Sequence, residues 1–313
     1  MPRKPNQKQE PFWKGAKKEK VKQPKRQATE SGKKKLLSSQ QQKEQELTKK
    51  RNQSNDQPIR LNRFIAQAGV CSRREADTLI QEGQIKVNGK VVTELGMKII
   101  PAQDKVSYEG KILEPENKVY VLLNKPKNFI TTTNDPEGRR TVLELVKTAT
   151  SERIFPVGRL DRNTTGLLLL TNDGDLTKKL THPSHEVKKL YHVTLDQEVS
   201  EAHMRQLKEG IELEDGMAKA DKIRYVTNKG PNEVGIELHS GRNRIVRRMF
   251  EALGYEVVHL DRVMMGSLTK KNVPRGKWRH LTDKEVSFLK MQVGGISKPS
   301  KFGKQKPKKK QRR

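Results

Sequence analysis

Cysteine occurs once, at Cys71. A lone thiol excludes an intramolecular disulfide and any zinc site built on clustered thiolates, and it fits a reducing compartment. No apolar run reaches the length of a membrane span, and no charged-then-apolar signal segment opens the chain, so a cytoplasmic protein is expected. There is no phosphate-cradling glycine loop and no internal repeat. Acidic residues are in short supply, 37 against 66 lysines and arginines, which leaves a net charge of +29. Only 32% of residues are hydrophobic.

The charge excess is uneven. Residues 1–58 hold 17 basic and 6 acidic residues, and residues 298–313 hold 9 basic and no acidic ones. The body between them is basic as well, so a polyanionic partner follows more naturally than mere solubility. The first stretch is rich in Lys, Gln, Ser and Asn without an apolar period, and residues 293–313 form a Lys/Pro/Gly tail. Both read as disordered basic tails that neutralise phosphates without reading sequence. They also dilute the hydrophobic fraction, so the body buries an ordinary core. A chain of 313 residues suggests about two domains.

Order begins near Ile59. Leu61, Phe64, Ile65 and Ala68 are spaced as one helical stripe, which Gly69 stops. Ser72-Arg73-Arg74-Glu75 is a capping box opening a second helix with Ala76, Leu79 and Ile80 on its apolar face. Ile85, Val87, Asn88-Gly89 and Val91 read as a tight hairpin. Arg73 and Arg74 lie in a first helical turn, where the macrodipole disfavours cations, and an anion there would relieve the conflict. Two exposed arginines would also be tolerated without one.

Farther on, Val119 to Leu123 reads as a buried strand ended by Asn124-Lys125-Pro126, and Gly138 to Val146 opens a helix. Gly158-Arg159-Leu160-Asp161-Arg162-Asn163-Thr164-Thr165-Gly166 sets one carboxylate between two arginines in a polar turn. Four leucines follow at once, then Thr171-Asn172-Asp173-Gly174 ends the strand. Asp161 is thus held beside a rigid element, although an Asp in a turn is commonly only a cap. His182-Pro183-Ser184-His185 invites a metal reading, but Pro183 breaks helical pairing and no third ligand is near, so no metal is expected. Tyr191, Val193 and Leu195 share one face of an alternating strand, where a tyrosine is commonly just core. A helix around Met204–Leu207 and a strand near Lys222 follow, and Val234, Ile236 and Leu238 alternate again. Then Gly241-Arg242-Asn243-Arg244-Ile245-Val246-Arg247-Arg248-Met249-Phe250 puts Val246, Met249 and Phe250 on one helical face, with Arg244 and Arg248 opposite and Arg247 on the flank. Trp278 to Glu285 reads as a turn into a last helix.

The Gly-Arg-Leu-Asp string with its leucine run, the Asn-Lys-Pro and Thr131-Thr132-Thr133 stretch, the Lys189-Leu190-Tyr191 strand and the Arg242–Arg248 helix together closely resemble the motifs of the RsuA/RluB-type pseudouridine synthases, in the right order over about residues 59–291. Asn128 and Ser240 stand where that family often has Gly and Glu. The helix–helix–hairpin with Ser-Arg-Arg-Glu-Ala resembles the RNA-binding domain shared with ribosomal protein S4. The resemblance implies an α+β chain: a disordered tail (1–58), an S4-like domain and linker (59–117), a mixed α/β synthase domain with a largely antiparallel sheet (118–292), and a basic tail (293–313).

It also implies a site. Asp161 would be the nucleophile, on ribose C1′ or uracil C6, Tyr191 would stack on a flipped uracil, and Arg247 would pair with Asp161. Arg60, Arg63, Arg73, Arg74 and Lys86 would meet RNA phosphates, as would Arg159, Arg162, Arg242, Arg244 and Arg248. No cofactor is needed, and the enzyme is expected to act as a monomer. Features before Tyr191 look closest to the RluB branch, while Gly254-Tyr255-Glu256-Val257 and Trp278 to Asp283 look more like the RluF branch. Both point to the large-subunit (23S) rRNA. The alternatives are a small-subunit (16S) rRNA synthase and a ribosome-assembly factor that binds RNA without chemistry. A glycosidase would need a second carboxylate, and the carboxylates Asp173 and Asp175 lie beyond the far end of the leucine strand.

Overall fold

The computed structural model of the chain describes residues 57–294. The expectations for residues 1–56 and 295–313 lie outside these residues.

The small first domain forms as its sequence dictates. Strand β1 (Ile59–Arg60) leads into helix α1 (Leu61–Gln67), which buries Leu61, Phe64 and Ile65. Helix α2 (Arg73–Gln81) opens with the expected capping box: the Ser72 hydroxyl accepts from the Glu75 amide at 3.3 Å, and the Glu75 carboxylate accepts from the Ser72 amide at 2.7 Å. Strands β2 (Ile85–Val87) and β3 (Lys90–Val91) form the hairpin. Asn88 and Gly89 take φ of 51° and 80° between them, as a tight two-residue turn requires. After β4 (Lys98–Ile99), β5 (Val106–Tyr108) and β6 (Lys111–Ile112) complete a sheet in the order β3-β2-β5-β6.

The rest of the chain is built on a nine-stranded sheet. Its first half comprises β7 (Tyr120–Lys125), the short β8 (Phe155–Pro156) and β9 (Thr165–Thr171). The second comprises β10 (Lys189–Leu195), β11 (Lys222–Tyr225), β12 (Glu233–Leu238) and β13 (Val257–Met265). Strand β14 (Leu268–Thr269) pairs with β13, and β15 (Trp278–His280) pairs with β7. The main path runs β11-β12-β10-β13-β9-β7-β15. Among the described strands of this sheet, every pairing is antiparallel except that of β13 with β9, which are parallel through Asp261↔Thr165 and Arg262↔Gly166. The largely antiparallel sheet is therefore observed, with one short parallel seam.

The leucine run is unbroken because β9 is covered on both faces. Leu168 and Leu170 join Val121, Leu123 and the helix α3 (Val142–Val146) residues Val142 and Val146 in one core. Leu167 and Leu169 face the other way, towards Leu176 and Leu180 of α4 (Gly174–Thr181) and the residues that later become Leu289 and Val293 of the last helix. Full burial of each leucine is worth about 1.5–3 kcal/mol. The second half has a core that gathers Val193, Leu195, Val234, Ile236 and Leu238 under α5 (Glu201–Glu209) and α6 (Ile245–Glu251).

One part of the chain differs from expectation, and another carried none. Trp278 to His280 is a paired edge strand rather than a turn, and α7 (Asp283–Gly294), which follows it, takes in Val293 and Gly294 from the expected tail because Val293 is buried in the core beside Leu289. Strand β13, nine residues long and central in the sheet, has no clean alternation in sequence. Its register against β10 shifts twice, and each shift breaks the period of two.

The seam also explains Gly166. It has φ of +105°, and a Cβ there would stand 2.2 Å from the Arg262 carbonyl and 2.4 Å from an Asp261 carboxylate oxygen. Only glycine lets β9 and β13 approach so closely.

Candidate active site

Asp161 sits in the loop that enters β9, at the seam. This loop is tied down through its backbone. The Lys125 ammonium, at the end of β7, donates to the carbonyls of Pro126 at 3.2 Å, Asp161 at 3.0 Å, Arg162 at 3.2 Å and Thr164 at 2.8 Å. Lys125 is fully buried, and that burial pushes its ammonium down to about 8 against the pull of Asp161. The Thr131 hydroxyl donates to the Leu160 carbonyl at 2.8 Å, and the Asn128 amide donates to the Arg162 carbonyl at 3.0 Å. Asn128 takes φ of 68°, a conformation asparagine tolerates better than most residues, which accounts for its standing near an expected glycine. Among the described residues the one side-chain hydrogen bond to the Asp161 carboxylate comes from the Thr164 hydroxyl at 3.5 Å, and no cation pairs with it.

A cleft of about 150 Å³ opens over Asp161. Tyr191, Arg159, Arg242 and Arg244 line it together with Asp161, as do Lys189 and Arg262. Tyr191 is half-buried and packs against the core of each half of the sheet. The cleft therefore joins a carboxylate, an aromatic ring and a basic rim.

The arginines fall into distinct groups. Arg247 does not line the cleft, and its guanidinium donates to the Val257 carbonyl at 2.7 Å. Burial and the nearby Arg244 lower its proton affinity, while the Asp161 charge raises it. Arg247 thus feels Asp161 electrostatically without an ion pair between them. Arg242 clamps the carbonyls of Asp215, Gly216 and Met217 at 2.8, 3.0 and 3.1 Å. Arg248 makes a two-pronged bond to Asp215, 2.9 Å on each side. Arg244 caps α6 with φ of 48° and pairs with Glu251 at 3.1 Å. Arg63 pairs with Asp175 at 2.5 Å. Arg60, Arg73, Arg74, Lys86, Arg159 and Arg162 are exposed, and among the described residues none has an ion-pair partner. Those six are open to phosphate without first breaking a protein contact.

His182 accepts from the Ser184 amide at 3.3 Å and caps a single 3-10 turn, Pro183–His185. Among the described residues no cluster of three or more His, Cys, Asp or Glu could hold a metal.

Reasoning from sequence did not assign Lys125, Lys189 or Arg262 to the site. Lys125 was visible only as a cation between Asn124 and Pro126 at the end of an apolar strand. Arg262 lay in the strand whose period is broken.

Comparison with known proteins identifies the family. Residues 119–252 match the RNA pseudouridylate synthase family, and residues 59–101 match the S4 domain. The chain is 44% identical to an uncharacterized RNA pseudouridine synthase of Aquifex aeolicus, over 75% of this chain and 95% of that one. It is also 44% identical to the ribosomal large subunit pseudouridine synthase B of Bacillus subtilis, over 74% and 95%. The dual-specificity RNA pseudouridine synthase RluF of Escherichia coli is 37% identical over 81% and 86%. A crystal structure of a pseudouridylate synthase superposes with a TM-score of 0.54 at 31% identity, covering 74% of this chain and 99% of that one. The chain belongs to the RNA pseudouridine synthase family. Within it, the S4 domain together with the similarity to synthase B and RluF agrees with the RsuA/RluB type, and the enzyme is an isomerase.

Proposed function

We propose that this enzyme converts a uridine of large-subunit (23S) rRNA to pseudouridine, with Asp161 as the nucleophile. The observation that carries the reading is the cleft at the seam, lined by Asp161, which has no ion-pair partner among the described residues, together with Tyr191 and basic side chains. A uridine inside a duplex cannot reach that carboxylate, so the base must flip out, at least cost from a loop or single strand. Tyr191 then offers its ring for stacking. Arg247, which does not line the cleft, carries a charge that attracts the Asp161 carboxylate through space. The rim arginines Arg159 and Arg244 and the exposed cations of the small domain hold the phosphates on either side, and Arg242 shapes the loop that borders the cleft. In this division of labour residues 59–117 dock the RNA and residues 118–292 perform the isomerisation.

The choice of large-subunit rRNA rests on the similarity to the Bacillus subtilis enzyme named for it. The test is to map pseudouridines chemically in rRNA from cells with and without the gene. One site should vanish from the large subunit, return with the wild-type gene and stay absent with Asp161→Asn. A site lost from the small subunit instead would overturn the target, and no lost site anywhere would overturn the activity.

A further inference from the structure

Two cations in the cleft have no part in the reading above. Arg262 is only 3% exposed. Its Nε donates to the Leu167 carbonyl at 2.8 Å, and its Nη2 is buried with no hydrogen-bond partner. Lys189 leaves β10 on the same face as Tyr191, two residues before it. Its ammonium donates to the His239 carbonyl at 2.8 Å, which uses one of three N–H groups. Burial, and then the charge of Arg262, hold that ammonium down to about 8. The carboxylate that favours its charged form, Asp221, is bonded to His239 at 2.8 and 2.9 Å. Among the described residues neither Lys189 nor Arg262 stands in an ion pair.

Buried charges are normally paired, and two like charges facing one cleft need an acceptor from outside. The walls decide which acceptor. Val157, Leu180, Val246, Leu260 and Met265 line the same cleft. Apolar walls suit the faces of a flat base and do not suit a hydrated phosphate, which exposed Arg159 at the rim can meet without desolvation. We propose that Lys189 and Arg262 grip the carbonyl edge of the target uracil inside the cleft and hold its negative charge while it is detached from the ribose.

This rests on the uridine isomerisation proposed above. With Asp161 acting at C1′, a carboxylate oxygen bonds to C1′ as the N1–C1′ bond breaks, and the N1 electron pair leaves with the uracil, where the charge spreads over N1, O2 and O4. After the base turns, C5 gives an electron pair to C1′ and the bond from C1′ to Asp161 breaks, restoring the carboxylate; the C5 proton is lost and N1 ends protonated, so nothing is added or removed. Lys189 and Arg262 can only donate, and both uracil oxygens can only accept. Cytosine puts an amino donor in place of one of those oxygens, so the same pair disfavours it.

The test uses the full-length enzyme and rRNA transcripts bearing either uridine or 5-fluorouridine at the target, with single-turnover rates of rearrangement read by chromatography of the digested RNA. Fluorine withdraws electrons, so a detached 5-fluorouracil needs less help; its C5 carries no proton to lose, so the rearranged C-glycoside keeps its fluorine, takes water at C6 and is read as that hydrated product. Lys189→Met should slow rearrangement of the uridine RNA about a hundredfold and of the fluorinated RNA only about tenfold, with RNA affinity held within about twofold. Lys189→Arg, which keeps a cationic donor, should recover most of the rate. Arg262→Lys should show the same dependence on the leaving base, and if it fails to fold, the two Lys189 variants decide the matter. Equal losses on the two RNAs, or weaker binding with an unchanged rate, would overturn the proposal. A wild-type enzyme that rearranges neither RNA would sink the activity itself, and this proposal with it.

Discussion

The two halves of the central sheet are built differently and contribute differently to the site. The half around β7 and β9 is covered on both faces and spends its leucines on rigidity. The half around β10 and β13 brings Tyr191, Lys189 and Arg262 to the cleft. Asp161 and Arg159 belong to the first, and Tyr191, Lys189 and Arg262 to the second. They meet where the pairing changes from antiparallel to parallel, across two residue pairs. The lesson is that the carboxylate proposed as nucleophile stands on a loop leading into the doubly covered half, while the ring and the two buried cations of the cleft come from the other half.

Removing what the stiff half contributes gives the largest effect. Asp161→Asn should slow pseudouridine formation by at least about a thousandfold, with the melting temperature and RNA affinity nearly unchanged. Detectable residual turnover at the wild-type rate would move the nucleophile elsewhere. Joining the halves badly comes next. Gly166→Ala forces a side chain against the Arg262 carbonyl at a positive φ, so it should cost about 2–4 kcal/mol in urea unfolding and lower activity as well. An alanine protein as stable as wild type would mean that the seam can open without consequence.

A subtler test loosens the loop. Lys125 gives up its proton near pH 8 in the folded state and near 10.5 when unfolded. Between those values the unfolded chain binds more protons, so this group favours folding increasingly as pH rises and disfavours it as pH falls through about 8. Wild-type stability should therefore gain on that of Lys125→Met between about pH 8 and pH 10, as read from urea midpoints, and the variant should turn over more slowly at every pH. A constant gap would show that Lys125 stays charged. The smallest effect is expected outside the cleft. Arg248→Ala breaks an exposed pair with Asp215 and should shift the melting temperature by less than about 2 °C, with RNA affinity within about twofold. A tenfold loss of affinity would show that Arg248 leaves Asp215 for phosphate.

Much of this was legible beforehand because local signals agreed with the fold. The Ser72 capping box, the Asn88-Gly89 turn and the leucines of β9 each have one reading, and the structure follows it. The motif order was also enough to bring Asp161 and Tyr191 to one cleft. What stayed hidden depends on distant contacts. Nothing near Lys125 in sequence reveals that four carbonyls 1 to 39 positions away will surround it. The register shifts of β13 erased the alternation that would have exposed Arg262 as an inward residue. Arg242, Arg244 and Arg248 looked like phosphate contacts and Arg247 like the partner of Asp161, because sequence does not show that Asp215, Glu251 and the Val257 carbonyl already hold them.

The Lys125 cluster has a consequence for how the enzyme responds to salt. An ammonium ringed by carbonyl oxygens occupies the place a dissolved potassium or sodium ion could otherwise take, but it is bonded to the chain and cannot be exchanged or diluted. The loop carrying Asp161 therefore needs no counter-ion from the medium to keep its shape. Rising salt will strip RNA from the exposed cations, as it does for any phosphate binder, while the emptied cleft stays formed. Lost activity in brine should return in full on dilution.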